Sequence, residues 1–139
     1  ALASERTLLQ ETADRARAAA DALWVVTGAA LRDDVLAQLP DLPPERVLVE
    51  PEARDTAAAI GFAARIVALE DPQAVLAVMP SDHIIGPTAA FADVLRAGAA
   101  LAASRPCVVT IGVAPTSPHT GYGYIERGEP HPASPTVRG

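Results

Sequence analysis

The sequence predicts an α/β fold in three layers, with helices packed on both faces of a mainly parallel sheet. Four short apolar runs, 23 to 27, 46 to 50, 74 to 80 and 107 to 113, alternate with segments of helical periodicity. The runs are apolar throughout instead of alternating with polar residues, which is the pattern of strands covered on both faces. Half of the 139 residues are hydrophobic but only 4% are aromatic, so helices must meet the sheet through small side chains.

The elements follow in order. Thr7 and Gln10 have the spacing of a capping box, and Leu8, Leu9, Ala13, Ala16 and Ala20 fall near one face of the helix that it opens. The run 23 to 27, "LWVVT", is a strand, and a helix over 31 to 39 ends at Pro40. "DLPPE" is a turn into the strand "RVLVE", 46 to 50. In "TAAAIGFAARIVALE" the residues Ala57, Ile60, Ala64 and Val67 share a face, with Asp55 or Thr56 placed to cap the helix. "AVLAVMP", 74 to 80, is a third strand. Thr88 is placed to cap a helix that puts Phe91, Val94, Leu95, Gly98 and Leu101 on its buried side. "CVVTIGV", 107 to 113, is a fourth strand with Cys107 as a buried thiol, and "TGYGYIERGE" is an extended, hairpin-prone piece.

Charge and composition exclude several classes of function. A formal charge of −6 and a pI near 4.9 leave no basic stripe for nucleic-acid phosphates or an anionic membrane. Small phosphorylated ligands remain compatible, because backbone N–H groups and a metal ion can hold them. One cysteine cannot form an internal disulfide, and no apolar run reaches the roughly 20 residues that span a bilayer. The cytoplasm is the expected compartment. The chain opens on Ala1 and closes on the proline-rich "HPASPTVRG", so a fragment truncated at both ends is expected.

In an open parallel sheet the ligand crevice lies beyond the carboxyl ends of the strands. Those ends carry Thr27 and Gly28, Glu50, Ser81 and Asp82, and the loop 114 to 124. Asp82 sits inside the stretch "VMPSDHII", just past the third apolar run, where a carboxylate held out of water needs donors or a cation. It is either a turn carboxylate or a ligand to a hard divalent ion, which needs only one or two protein carboxylates. His83, next to it, is structural, or else a switch or a base. Glu50 precedes Pro51 and either accepts hydrogen bonds from a nucleobase or faces solvent. Asp55 and Thr56 open a helix whose N-terminus favours anions, as a plain cap or as a ligand contact. Arg54 is a phosphate partner or a solvated helix-end charge. In "TGYGY" two glycines allow close backbone approach and two tyrosines offer flat apolar faces. His119 and His131 lie in proline-rich surroundings that suggest exposure.

Taken together, "LLQETADR", "EPEARDTAAAIGFAA", "VMPSDHII" and "IGVAPTSPHTGYGYIERGE" resemble, in order and over nearly the whole chain, the mannose-1-phosphate guanylyltransferases among the sugar nucleotide pyrophosphorylases. The resemblance implies a Rossmann-like nucleotidyltransferase domain, here a partial one over 1–139, that couples GTP and mannose 1-phosphate to GDP-mannose and pyrophosphate. It implies Mg²⁺ on Asp82, which would be the catalytic residue. It places the nucleotide against Glu50, Pro51, Arg54, Asp55, Thr56 and Ser81, and the sugar against Gly121, Tyr122, Gly123 and Tyr124. A homodimer is compatible with the sequence but not required by it. Asp55 stands where the family usually has Asn, and an ionised Asp only accepts hydrogen bonds. The family's glycine-rich triphosphate loop and its later F-V-E-K-P strand are not in this sequence. Two alternatives stay open: a related enzyme with another base or sugar, and a non-catalytic nucleotide-sugar-binding regulatory module.

Overall fold

The computed structural model describes residues 5–129, so His131 lies outside the described residues. The elements are α1 (Leu8–Arg17), β1 (Val25–Gly28), α2 (Arg32–Gln38), β2 (Val47–Glu50), α3 (Asp55–Glu70) and α4 (Thr88–Ser104). One-turn 3₁₀ segments, Ala29–Leu31 and Pro44–Arg46, lead into α2 and β2.

The capping box at the start of α1 forms as its spacing predicts. Thr7 Oγ1 accepts from the Gln10 amide at 3.2 Å, and Gln10 Oε1 accepts from the Thr7 amide at 3.1 Å, so two donors of the open first turn are satisfied. Both side chains also reach the end of α2: Thr7 Oγ1 donates to Gln38 Oε1 at 2.6 Å, and Gln10 Nε2 donates to the Gln38 carbonyl at 3.0 Å. α2 stops where a residue preceding proline must leave the helical region. Leu39, before Pro40, has φ −124° and ψ 66°.

β1 and β2 form a parallel ladder in the register Val25↔Val47, Val26↔Leu48, Thr27↔Val49 and Gly28↔Glu50. The connection between them carries α2, as a parallel pair requires. Ala13 of α1, Val35 of α2, Leu39, Leu42 and Val47 of β2 make the buried cluster, with Leu9, Leu23, Val25 and Leu36 packed against it. The architecture is α/β with a parallel sheet, and its core lies where α1, α2 and β2 meet. Trp24, at the entry to β1, keeps one ring face against the Arg46 guanidinium, 5.7 Å from the centroid.

Several sequence expectations are corrected. The runs 74 to 80 and 107 to 113 are irregular and join no ladder among the described residues. Val78 is 55% exposed and Val108 is 96% exposed. Apolar composition expresses a demand for burial, but a strand also needs a neighbouring backbone to pair with, and these two runs have none among the described residues. Cys107 is accordingly a half-buried free thiol outside any strand. α3 buries none of its residues completely, and Ile60, assigned to its inner face, is exposed. Neither Asp55 nor Thr88 caps its helix by a side-chain hydrogen bond; Arg54 and Pro87 occupy the capping positions. The 120 to 124 piece forms a turn instead of a hairpin.

Candidate active site

The ladder register brings the first two predicted positions together. Gly28 and Glu50 are paired residues at the carboxyl edge of the sheet, and Glu50 is half-buried there. The segment after Glu50 turns outward. Pro51, Arg54, Asp55 and Thr56 are all exposed, and Arg54 Nε donates to Glu52 Oε2 at 2.9 Å. Both partners of that pair have 69% of their side chains in solvent, so it contributes about 0–1 kcal/mol and leaves the guanidinium free to exchange partners. Asp55 opens α3 with φ 62°, the only non-glycine residue of the described set in the left-handed region. Asp is among the few side chains that visit this region readily, and the carboxylate sits in the first turn of α3, where the helix end favours negative charge.

Asp82 lies in a turn after the third apolar run, and its side chain is 79% exposed. Asp82 is therefore a turn carboxylate open to water, not one held out of it, and burial does not demand a cation there. Its neighbour is His83, whose Nε2 lies 4.0 Å from Oδ1. Backbone on either side of it is fixed from α1. Thr12 Oγ1 donates to the Ser81 carbonyl at 3.4 Å, and Arg15 Nη2 donates to the His83 carbonyl at 2.8 Å. These two α1 side chains were not singled out in the sequence. The signal for them was present: Thr12, Arg15 and Ala16 share one helical face, so a cation stands on the side that Ala13 and Ala16 mark as inward.

Mg²⁺, the metal implied by the resemblance, fits this donor set in one form only. Among the described residues no cluster of three or more His, Cys, Asp and Glu side chains could hold a metal ion. A single exposed carboxylate oxygen suits a small hard cation that keeps several waters and takes further oxygens from phosphates, and it does not suit a metal caged by protein alone.

The "TGYGY" segment is organised around His119. The His119 amide donates to Tyr124 Oη at 2.7 Å, and that hydroxyl donates to the His119 carbonyl at 2.9 Å. The Gly121 amide donates to His119 Nδ1 at 3.1 Å, and the imidazole lies 4.5 Å from the Tyr122 ring centroid. A Cβ on Gly121 would stand 3.0 Å from His119 Cε1, so the glycine allows this close approach. Tyr124 lines an open recess of about 490 Å³ with Pro115, Ser117 and His119 among its walls. Gly123 is exposed. Neither this recess nor a second one, of about 420 Å³ between residues 72–75 and 102–106, includes Glu50 or Asp82. The structure thus pairs Gly28 with Glu50, ties Ser81 and His83 to α1, and folds Gly121 to Tyr124 on His119.

A parallel α/β sheet with polar residues at its carboxyl edge is the plan of a nucleotide-handling domain. Comparison with known families agrees: the model of the nucleotidyl transferase family matches residues 1–138, and the chain belongs to that family. The chain is 42% identical over 130 residues to the xanthan biosynthesis protein XanB of Xanthomonas campestris pv. campestris strain B100, covering 91% of this chain and 28% of that protein. It is 42% identical over 132 residues to a mannose-1-phosphate guanylyltransferase of Sinorhizobium fredii, covering 91% of this chain and 26% of that one. With the alginate biosynthesis protein AlgA of Pseudomonas fluorescens it shares 38% identity over 129 residues, 26% of that protein's length. The chain therefore spans little more than a quarter of these relatives. No solved structure matches it significantly. No helix among the described residues is long and apolar enough to cross a membrane.

Proposed function

We propose that the protein to which this chain belongs transfers a nucleotidyl group from GTP to mannose 1-phosphate, giving GDP-mannose and pyrophosphate, with residues 1–139 forming part of its nucleotidyltransferase domain. The observation that carries the reading is the 42% identity, through 91% of this chain, to a relative that bears the name mannose-1-phosphate guanylyltransferase. The ladder edge supports it, because Glu50 and Gly28 stand where a parallel sheet offers its crevice.

In this reading an oxygen of the sugar 1-phosphate attacks the α-phosphorus of the triphosphate in line, the bond to the bridging oxygen breaks, and pyrophosphate leaves. Transfer of this kind asks the protein for position and charge more than for covalent chemistry. A bound Mg²⁺ supplies positive charge between two anions that must approach each other. Asp82 would hold it through one carboxylate oxygen. Glu50 accepts from donors on the base, and guanine offers both an N1–H and an amino group. Arg54 exchanges Glu52 for a phosphate, Asp55 and Thr56 present the start of α3, and Pro51 and Ser81 border the nucleotide. Gly121 and Gly123 let backbone approach the sugar, with Tyr122 and Tyr124 beside it. The reaction is cytoplasmic in this reading, since both substrates are soluble phosphates.

Asp55 favours a second reading within the same chemistry. An acceptor-only side chain adds negative charge near a triphosphate, so another base or sugar is the alternative. Pyrophosphate release by the full-length protein decides between them. We expect turnover with GTP and mannose 1-phosphate to exceed that with ATP or dTTP, or with other sugar 1-phosphates, by at least about 100-fold, since unpaired polar groups reject the wrong partner strongly. Faster turnover with another pair assigns the protein to that pair, and no release with any pair removes the catalytic reading.

A further inference from the structure

We infer that Arg15, together with Thr12, is a positioning residue for Asp82: α1 grips the peptide on each side of the carboxylate and sets where it stands. The inference rests on the reading of Asp82 as the metal-holding residue. It starts from an unusual burial. Arg15 is only 4% exposed, yet no carboxylate among the described residues pairs with it, and its Nε is buried without a hydrogen-bond partner. A cation out of water without a counter-ion is expensive, and a hydrophobic side chain of similar length would pack there at less cost. What Arg15 makes instead is a hydrogen bond of 2.8 Å from Nη2 to the His83 carbonyl, while the same nitrogen donates to Thr12 Oγ1. Thr12 in turn donates to the Ser81 carbonyl at 3.4 Å. The two acceptors are the residues immediately before and after Asp82.

The grip is useful only if α1 is itself fixed, and it is. The capping box and Gln38 hold its first turn, Ala13 is in the core, and Arg96 of α4 donates from Nη2 to the Ala18 carbonyl at 2.9 Å just past its last turn. The segment 81 to 87, by contrast, has no helix or strand to hold it. Asp82 therefore inherits its position from a helix almost seventy residues earlier in the chain, through two side chains that face inward.

The test uses the full-length protein carrying Arg15→Met, Arg15→Lys, Thr12→Val or Asp82→Ala. Hydrogen exchange followed by mass spectrometry, without nucleotide or metal, reads the grip directly. Peptides spanning 80 to 87 should exchange at least about tenfold faster in Arg15→Met, with α3 unchanged, since a lost tether releases local opening. In the pyrophosphate assay the same variant should lose at least about tenfold in kcat and need more Mg²⁺ for half-maximal rate, with the KM for GTP within about twofold, because misplacement of a group by about 1 Å is felt in turnover. Arg15→Lys should recover part of the loss, and Thr12→Val should show a smaller effect of the same sign. Wild-type exchange in 80 to 87 with wild-type kcat and metal requirement in Arg15→Met, alongside an inactive Asp82→Ala, overturns the positioning role alone. A fully active Asp82→Ala overturns the reading of Asp82 and the positioning role with it. Should Arg15→Met not fold, Thr12→Val and Arg15→Lys decide, and wild-type behaviour in both sinks the proposal.

Discussion

On the proposed reading, replacing Asp82 by Ala should lower turnover of the full-length protein by roughly 10²- to 10⁴-fold and leave the fold in place. The first half of this expectation follows from where the charge of the reaction accumulates. Two phosphate anions must be brought together, and a carboxylate that holds the neutralising cation is worth several kcal/mol in the transition state; about 3 to 5 kcal/mol corresponds to that loss of rate. The second half follows from exposure. The Asp82 side chain is 79% in solvent and its nearest charged or titratable partner is a histidine at 4.0 Å, so its removal changes stability by no more than about 0.5 kcal/mol. Steady-state pyrophosphate release and a urea denaturation curve, measured on the same preparation, separate the two. Near-normal turnover at saturating Mg²⁺ removes Asp82 from the site, and a large fall in denaturation midpoint assigns it to the fold.

Leu39→Ala has the opposite signature. Leu39 is 2% exposed and packs with Ala13, Val35, Leu42 and Val47, three of which are no larger than valine. Small neighbours held by α1, α2 and β2 have little freedom to collapse into the space left behind. The substitution is expected to cost roughly 2–5 kcal/mol, a large share of the about 5–15 kcal/mol that stabilises an ordinary domain. The urea midpoint should fall with an unchanged slope, which marks a loss of stability and not a change in the unfolded chain. Leu69→Ala is the control, because Leu69 is 64% exposed near the end of α3 and its truncation should fall within about 0.5 kcal/mol. Equal shifts in the two variants would mean that the core does not lie between α1, α2 and β2.

Local rules carried the sequence reading furthest. The capping box of Thr7 and Gln10, the stop of α2 before Pro40 and the placement of β1 and β2 all depend on residues near one another in the chain, and each forms within about two residues of its expected place. Long-range pairing was not legible in the same way. The runs 74 to 80 and 107 to 113 have strand composition, but their ladder partners are not a property of their own residues. Gly98 of α4 shows what the second run does instead: a Cβ built there would lie 3.5 Å from Val109 Cγ1, so the run lies against the helix.

The candidate site divides along the same line. Glu50 at a strand end was readable, because strand ends follow from hydrophobic runs. The state of Asp82 was not, since its exposure is decided by how the chain turns at Ser81. The inward face of Arg15 was legible, but its long-range partner was not, for a related reason. Its helical face follows from the spacing of Ala13 and Ala16, but only the fold reveals that one of its two partners is the His83 carbonyl, almost seventy residues away. His119 is the exposed loop histidine that its proline-rich surroundings suggest, and what the sequence did not reveal is that it organises Gly121, Tyr122 and Tyr124.

Convergence of these groups on one ligand is what the functional reading needs, and a crystal structure of the full-length protein with Mg²⁺ and GDP-mannose measures it. Glu50 should lie within hydrogen-bond distance of the base, an Asp82 oxygen should bind the metal directly, and the Gly121 to Tyr124 turn should touch the sugar of the same molecule. A ligand seated elsewhere, with Glu50, Asp82 and Gly123 opening on separate surfaces and no metal on Asp82, would contradict it.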